Sequence, residues 1–288
     1  MKTITALAVS SRPLNWVNTA FPFAAAYFTA TRQVDLVLVI GTIYFLIPYN
    51  LAMYGINDVF DYQSDLRNPR KGGIEGALLG PRLHRVTLIA AVALNLPFLV
   101  VLVLLGSPLS WLVLGVSVFA VVAYSVPGLR FKERPFVDSL TSSGHFVIPA
   151  IYGLVLAGAV FTPPLLALIA AFALWGIASH AFGAVQDIVA DREGGISSIA
   201  TAIGGRKTVH LAFFAYLGAG VLLAFTEFPG CLAAVLVLPY LVTVLPFWGI
   251  TDANAQTANR GWKRFLVINF AVGFLVTMLL IWHGLLSS

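Results

Sequence analysis

Charge is what this chain has least of. Only 10% of its 288 residues are Asp, Glu, Lys or Arg, where a soluble domain carries nearer ~25%. That shortage excludes a surface solvated mainly by water. With 59% hydrophobic residues and a mean hydropathy of +0.91, the composition belongs to a chain solvated by lipid. Cysteine is nearly missing as well. Cys231 stands alone in an apolar run, which excludes a disulfide framework and a cysteine-built metal site. No stretch outside the apolar runs is long enough for a soluble domain. The N-terminal residues offer Lys2, Arg12 and Pro13 but no apolar core followed by a small-residue cleavage site, so no signal peptide is expected.

What is present is a series of apolar runs. A bilayer core needs roughly 20 such residues per helix, and nine runs qualify: 13–31, 36–57, 84–106, 108–126, 136–158, 163–186, 208–226, 230–250 and 264–285. The expected fold is therefore an all-α integral membrane bundle of nine helices, a single domain over residues 1–288. Basic residues orient it. With the N-terminus in the cytoplasm, sixteen of the seventeen Lys and Arg fall inside and only Arg32 outside, as the positive-inside rule requires. The C-terminus is then expected outside, in a multi-pass protein of the cell membrane. The net charge of +5 follows from topology and gives no reason to expect a nucleic-acid partner.

Acidic residues do not set orientation, yet ten of the twelve share the cytoplasmic side; only Asp35 and Glu227 face out. Two clusters account for the bias. The second run ends in Asn57-Asp58-Val59-Phe60-Asp61-Tyr62-Gln63-Ser64-Asp65, where the three Asp stand at i, i+3 and i+7, one helix face. The sixth ends in Gln186-Asp187-Ile188-Val189-Ala190-Asp191, with Asp at i and i+4. Carboxylates at the membrane edge are costly unless paired or metal-bound. Oxygen-only ligands suit a hard cation, and Mg²⁺ takes one or two carboxylates plus substrate phosphate oxygens. Neither His nor Cys stands among them to suggest zinc. The bland alternative, pairing with nearby Arg and Lys, is the weaker reading for two matched clusters that can share one cavity.

Basic, glycine-rich stretches follow each cluster: Arg67, Arg70, Lys71, Gly72 and Gly73 after the first, Arg192, Gly194, Gly195, Gly204, Gly205, Arg206 and Lys207 after the second. A third, Tyr124 to Lys132 with Arg130 inside it, lies between the fourth and fifth runs. Such cations reach phosphate oxygens that a metal leaves free, and the glycines would let the loops close over a reactive cation. Arg67, Lys71 and Arg130 are the candidates for substrate phosphate.

These residues resemble a family. Asn-Asp-x-x-Asp-x-x-x-Asp on the second helix, Asp-x-x-x-Asp on the sixth and nine spans are similar to the UbiA superfamily of intramembrane prenyltransferases, over essentially the whole chain. The resemblance implies a UbiA-type helical bundle with a central, lipid-accessible cavity under cytoplasmic cap loops. It implies Mg²⁺ as cofactor, held with the donor's diphosphate by Asn57, Asp58, Asp61, Asp65, Asp187 and Asp191. Tyr124 and Lys132 fall in the similar loop segment that helps hold the diphosphate, so that Asp58, Asp61, Asp187, Tyr124 and Lys132 would form the catalytic set. Glu193 lies off the face of Asp187 and Asp191.

A finer resemblance, to the lycopene elongase branch of carotenoid prenyltransferases, rests on Pro48-Tyr49-Asn50-Leu51-Ala52-Met53-Tyr54-Gly55-Ile56-Asn57-Asp58, on Leu66-Arg67-Asn68-Pro69-Arg70-Lys71-Gly72-Gly73 and on Ser179 to Asp187. It implies dimethylallyl diphosphate as donor and lycopene as acceptor, in C45/C50 carotenoid biosynthesis. Physical reading agrees. An acceptor with a carboxylate would want a cation inside the cavity, and the nine runs hold no interior Lys or Arg. They hold Tyr49, Tyr54, Phe60, Trp175, His180 and Phe182 instead, suited to an apolar polyene and a carbocation, though each aromatic also fits ordinary helix packing. His180, seven before Asp187 and two turns deeper, is a candidate proton acceptor, with a satisfied core histidine the stronger reading. Two alternatives stand beside this one. A UbiA-type enzyme could act on a quinone precursor or lipid acceptor. A cation-coupled transporter is the remote reading, because transporters place their binding groups at broken midplane helices.

Overall fold

The computed structural model describes residues 3–66 and 78–286. Its helices are α1 (Thr3–Ser10), α2 (Trp16–Thr31), α3 (Leu36–Leu46), α4 (Pro48–Phe60), α5 (Tyr62–Asp65), α6 (Pro81–Leu105) and α7 (Pro108–Ser125). They continue with α8 (Val137–Leu156), α9 (Pro163–Val185), α10 (Ile188–Glu193), α11 (Ile199–Ile203), α12 (Gly205–Ala224), α13 (Leu238–Val244) and α14 (Asn259–Leu286). Among the described residues there is no strand, and eight helical segments are long and apolar enough to cross a membrane. This is a multi-pass membrane architecture.

The first expected span, 13–31, is the one outside these eight. Its helix α2 has 16 residues, about 24 Å at ~1.5 Å per residue, below the ~30 Å of a bilayer core. The expected span 36–57 is real but divided: α3 stops at Leu46 and α4 restarts at Pro48, whose missing N–H and fixed φ suit a first helical turn. The expected span 230–250 is the least regular. It runs as a 3₁₀ stretch from Gly230 to Val237, then α13, then a 3₁₀ turn at Leu245–Phe247.

The chain divides into two compact units. One comprises Met1–Phe131 with Ile148–Ala159, the other Lys132–Val147 with Val160–Ser288. The core of the first is aromatic: Phe23, Tyr27, Tyr44, Phe45, Tyr49 and Tyr152 are buried together, with Phe45 and Tyr49 edge to face at 5.1 Å. Two glycines permit this packing. A Cβ on Gly41 would collide with the Phe23 ring, and one on Gly153 would lie 2.7 Å from the Phe23 carbonyl oxygen. The buried Asn50 amide nitrogen is bonded, donating to Thr19 Oγ1 at 2.7 Å and to the Phe45 carbonyl at 2.8 Å, whereas the Tyr44 and Tyr152 hydroxyls are buried without a hydrogen-bond partner among the described residues.

The second unit is built on α9 against α12, with Tyr216 stacked on Tyr240 at 5.0 Å and Ser179 Oγ 3.0 Å from the Tyr216 hydroxyl. Outward faces carry large apolar side chains; α14 buries only Gly261 and Phe265 and exposes Val267, Phe270 and Phe274. Patches of that extent on a soluble protein would drive association. In lipid they are the ordinary solvent-facing surface.

Candidate active site

The first acidic motif sits where α4 gives way to α5. Helix α4 ends at Phe60, Asp61 caps it with φ −97° and ψ −1°, and α5 follows. The helical hydrogen-bond ladder nevertheless continues, from Asp61 N to the Asn57 carbonyl at 2.9 Å and from Asp65 N to the Asp61 carbonyl at 2.8 Å. Asp58, Asp61 and Asp65 are all buried. Asp58 and Asp61 have partners within the first unit. Asp58 accepts from the Ser10 hydroxyl (2.9 Å, Oδ2) and from Arg12 Nη2 (3.0 Å, Oδ1). Asp61 Oδ1 has Arg130 Nη2 at 3.7 Å. Asn57 Oδ1 accepts from the Ser125 hydroxyl at 3.0 Å. Arg12 also lies over the Tyr54 ring, with Cζ 4.2 Å from its centroid, a cation–π arrangement.

The loop after α7 brings Arg130 to Asp61. Tyr124 is half-buried in the last turn of α7. The chain then reverses through Gly128, at φ 91°, where L side chains are strained, so that Leu129 N and Arg130 N both reach the Val126 carbonyl. Lys132 lies in the 3₁₀ turn Phe131–Glu133 and is half-buried. Arg67 and Lys71 lie outside the described residues.

The second motif, in the other unit, has the same local form. Helix α9 ends at Val185, Asp187 stands at the break with φ −96° and ψ −5°, and α10 begins at Ile188. Asp191 N donates to the Asp187 carbonyl at 2.8 Å. Asp61 and Asp187 thus share the sparsely populated bridge region of φ/ψ space, and each is followed four residues on by a second Asp. Both are half-buried or buried at a helix break. Around the second motif, Ser198 Oγ lies 3.3 Å from Asp191 Oδ2. Gln186 is held by Asn259. Glu193 is exposed. Arg192, a candidate phosphate cation by position, is paired with Asp252 at 2.7 Å, and Asp252 also accepts from Gly205 N at 2.7 Å.

Sequence reasoning passed over one buried carboxylate. Asp138 is fully buried at the start of α8 and accepts from Ser139 N and Ile199 N, both at 2.7 Å. Ser139 Oγ lies 3.3 Å from Asp138 and 3.0 Å from His180 Nδ1, so His180 is a bonded, half-buried histidine. The signal was there: Asp138-Ser139 opens an apolar run on a residue that would rarely be buried unpaired. Of the aromatics expected around the substrate, Tyr49 and Phe182 are core residues, and Trp175 packs on Tyr240 and Phe265. Tyr54 is half-buried beneath Arg12.

The UbiA prenyltransferase family model matches residues 19–272. The chain belongs to the UbiA prenyltransferase family. Among curated relatives, it is 57% identical over 286 residues to the C(50) beta-cyclic carotenoids biosynthesis protein LbtBC of Dietzia sp., covering 99% of this chain and 66% of that protein; it therefore spans just under two thirds of that relative. It is 49% identical over 281 residues to the lycopene elongase/hydratase of Corynebacterium glutamicum, covering 98% of each. The lycopene elongase/hydratase of Halobacterium salinarum is 33% identical, over 96% of this chain and 98% of that one. Solved structures share the UbiA fold. A UbiA homolog from Archaeoglobus fulgidus bound to DMAPP and Mg²⁺ matches with TM-score 0.68 at 18% identity, covering 93% of this chain and 98% of the other. Family membership ends the transporter reading: this UbiA member is a prenyltransferase.

Proposed function

We propose that this UbiA prenyltransferase moves a dimethylallyl group from its diphosphate to the end of lycopene, producing C45 and C50 carotenoids. The single observation that carries the donor half is the repeated Asp-x-x-x-Asp unit, placed twice at a helix break with matching backbone angles. The acceptor half is supported by the relatives at 49–57% identity, which are named for lycopene elongation and C50 carotenoid biosynthesis, and by the scarcity of cations within the apolar helices.

The residues fit Mg²⁺. The donor set is oxygen only and suits a hard cation, and Asp61 and Asp65 are buried at the helix break. Among the described residues no three acidic, His or Cys side chains form a metal cluster by themselves. Asn57, Asp61 and Asp65 of the first motif, and Asp187 and Asp191 of the second, would hold it. When bound, Mg²⁺ neutralises the charge that develops on departing diphosphate.

The chain's own groups do the rest. Arg130, Lys132 and the Tyr124 hydroxyl bind and orient the diphosphate, with Arg67 and Lys71. The allylic C–O bond breaks and its electron pair leaves with diphosphate. The terminal alkene of the acceptor forms the new C–C bond to the allylic carbon, leaving a tertiary cation that loses a proton or adds water. Tyr54 and His180 are the proposed contacts of the hydrocarbon. The protein resides in the cell membrane with its N-terminus and both acidic motifs on the cytoplasmic side, as the distribution of Lys and Arg supports.

Chromatography of carotenoids from lycopene-accumulating cells that express this chain tests the reading. Products five and ten carbons larger than lycopene are expected, and an Asp61→Ala control should make none. Unchanged lycopene, with folded protein in the membrane, would refute the acceptor and point to a quinone precursor or lipid.

A further inference from the structure

Asp58 differs from its neighbours in the first motif. It is fully buried, and both carboxylate oxygens are engaged by a separate element. Ser10, the last residue of α1, donates to Oδ2 at 2.9 Å, and Arg12 Nη2 donates to Oδ1 at 3.0 Å. The contact is built rather than incidental. Arg12 adopts φ 52°, a left-handed conformation that non-glycine residues rarely take, and spreads its guanidinium over Tyr54, one turn before Asp58 on α4. Helix α1 is anchored there by Ala6, which is buried with Leu79 against Val59 and Leu83. On its other side the end of α4 is held by Ser125, whose hydroxyl donates to Asn57.

The second motif supplies an internal control. Superposing Asp187 on Asp61 and Asp191 on Asp65 sets Ala184 in the register of Asp58. The unit common to both motifs therefore lacks a carboxylate at this position.

We infer that Asp58 is a positioning residue and not a metal ligand: Ser10 and Arg12 hold it so that the last turn of α4 presents Asn57 and Asp61 in fixed directions. Ser10 and Arg12 precede the stretch matched by the family model, which begins at residue 19. This inference rests on the metal–diphosphate reading above, and the test separates the two.

The experiment titrates Mg²⁺ against turnover of dimethylallyl diphosphate with lycopene, using the purified full chain in detergent and its Asp58→Asn, Arg12→Met, double and Asp61→Asn variants. Asp58→Asn and Arg12→Met should each lower kcat roughly 10-fold or more while leaving the half-saturating Mg²⁺ concentration within about twofold. The double variant should be no slower than the slower single one, because a broken pair cannot be broken twice. Arg12→Lys should recover part of the loss. Asp61→Asn should raise the Mg²⁺ requirement at least ~10-fold. A comparable rise in Asp58→Asn, or losses that multiply in the double variant, overturns the inference. If Asp58→Asn does not fold, Arg12→Met decides alone: a lost kcat at unchanged Mg²⁺ requirement supports the inference, and any shift in that requirement beyond twofold overturns it. Turnover that persists in chelator would refute the metal reading, and the double-variant comparison of kcat would then decide, multiplied losses against and shared losses for.

Discussion

The two acidic motifs repeat a backbone but not its support. Asp61 and Asp187 have nearly the same φ and ψ, each at the end of a long helix, and each is followed by Asp four residues later. Around the first, the buried carboxylate Asp58 is neutralised by a guanidinium. In the second unit the buried carboxylate is Asp138, and its named partners are neutral: two backbone N–H groups and the Ser139 hydroxyl. What is repeated is the part proposed to handle the ligand; what differs is how each unit holds its part in place. Buried charges admit both solutions, since pairing and multiple hydrogen bonds each offset desolvation.

The largest expected effect breaks the shared part. Asp61→Asn and Asp187→Asn should each reduce turnover by roughly 10³-fold, the scale of losing charge-stabilising groups at a reacting centre. A variant at one position that keeps near-normal turnover would show that the motifs are not equivalent. Next comes the support in the second unit. Asp138→Ala leaves the N–H groups of Ser139 and Ile199 without their acceptor and should cost about 3 kcal/mol, read as a lowered midpoint of thermal unfolding in detergent. Ala184→Asp sharpens the comparison further, by placing a carboxylate in the Asp58 register without a Ser10 or Arg12 to meet it. It should cost roughly 2 kcal/mol by the same measurement, and a neutral result would mean that the Asp58 pairing is dispensable. The smallest effect belongs to Arg192→Gln. The Arg192–Asp252 pair is substantially exposed, so its loss should cost under ~1 kcal/mol and change turnover less than twofold.

Much of this was legible before any coordinates. The membrane class, the span positions within a few residues and the two Asp motifs follow from hydropathy and spacing, because lipid leaves few ways to satisfy a backbone. The differences in detail have local causes. Residues 13–31 are apolar enough to suggest a span, but Pro13 opens a 3₁₀ turn and the helix proper begins only at Trp16. Residues 230–250 carry the right composition yet fold partly as 3₁₀, a choice between i+3 and i+4 bonding that apolar periodicity does not encode. Placing Asp58, Asp61 and Asp65 on one face was sound, since the ladder persists through the cap. Their different partners were not visible, because Ser10 and Arg12 lie nearly fifty residues away in the chain. Tyr49 and Phe182 are buried in the cores of their units, and Tyr49 also lines an apolar cavity with Tyr44, Asn95 and Leu99; composition does not tell which side of a wholly apolar helix faces a ligand.

The account turns on the claim that both motifs act on one chemical event, the departure of diphosphate from the prenyl donor. Its most direct test is release of inorganic diphosphate from dimethylallyl diphosphate by the purified chain supplied with lycopene. The wild-type chain, Asp61→Asn and Asp187→Asn are compared, each with Mg²⁺ and with chelator. The account predicts release that needs Mg²⁺ and falls steeply in both variants. Release that survives chelator, or that either variant sustains at the wild-type rate, would contradict it.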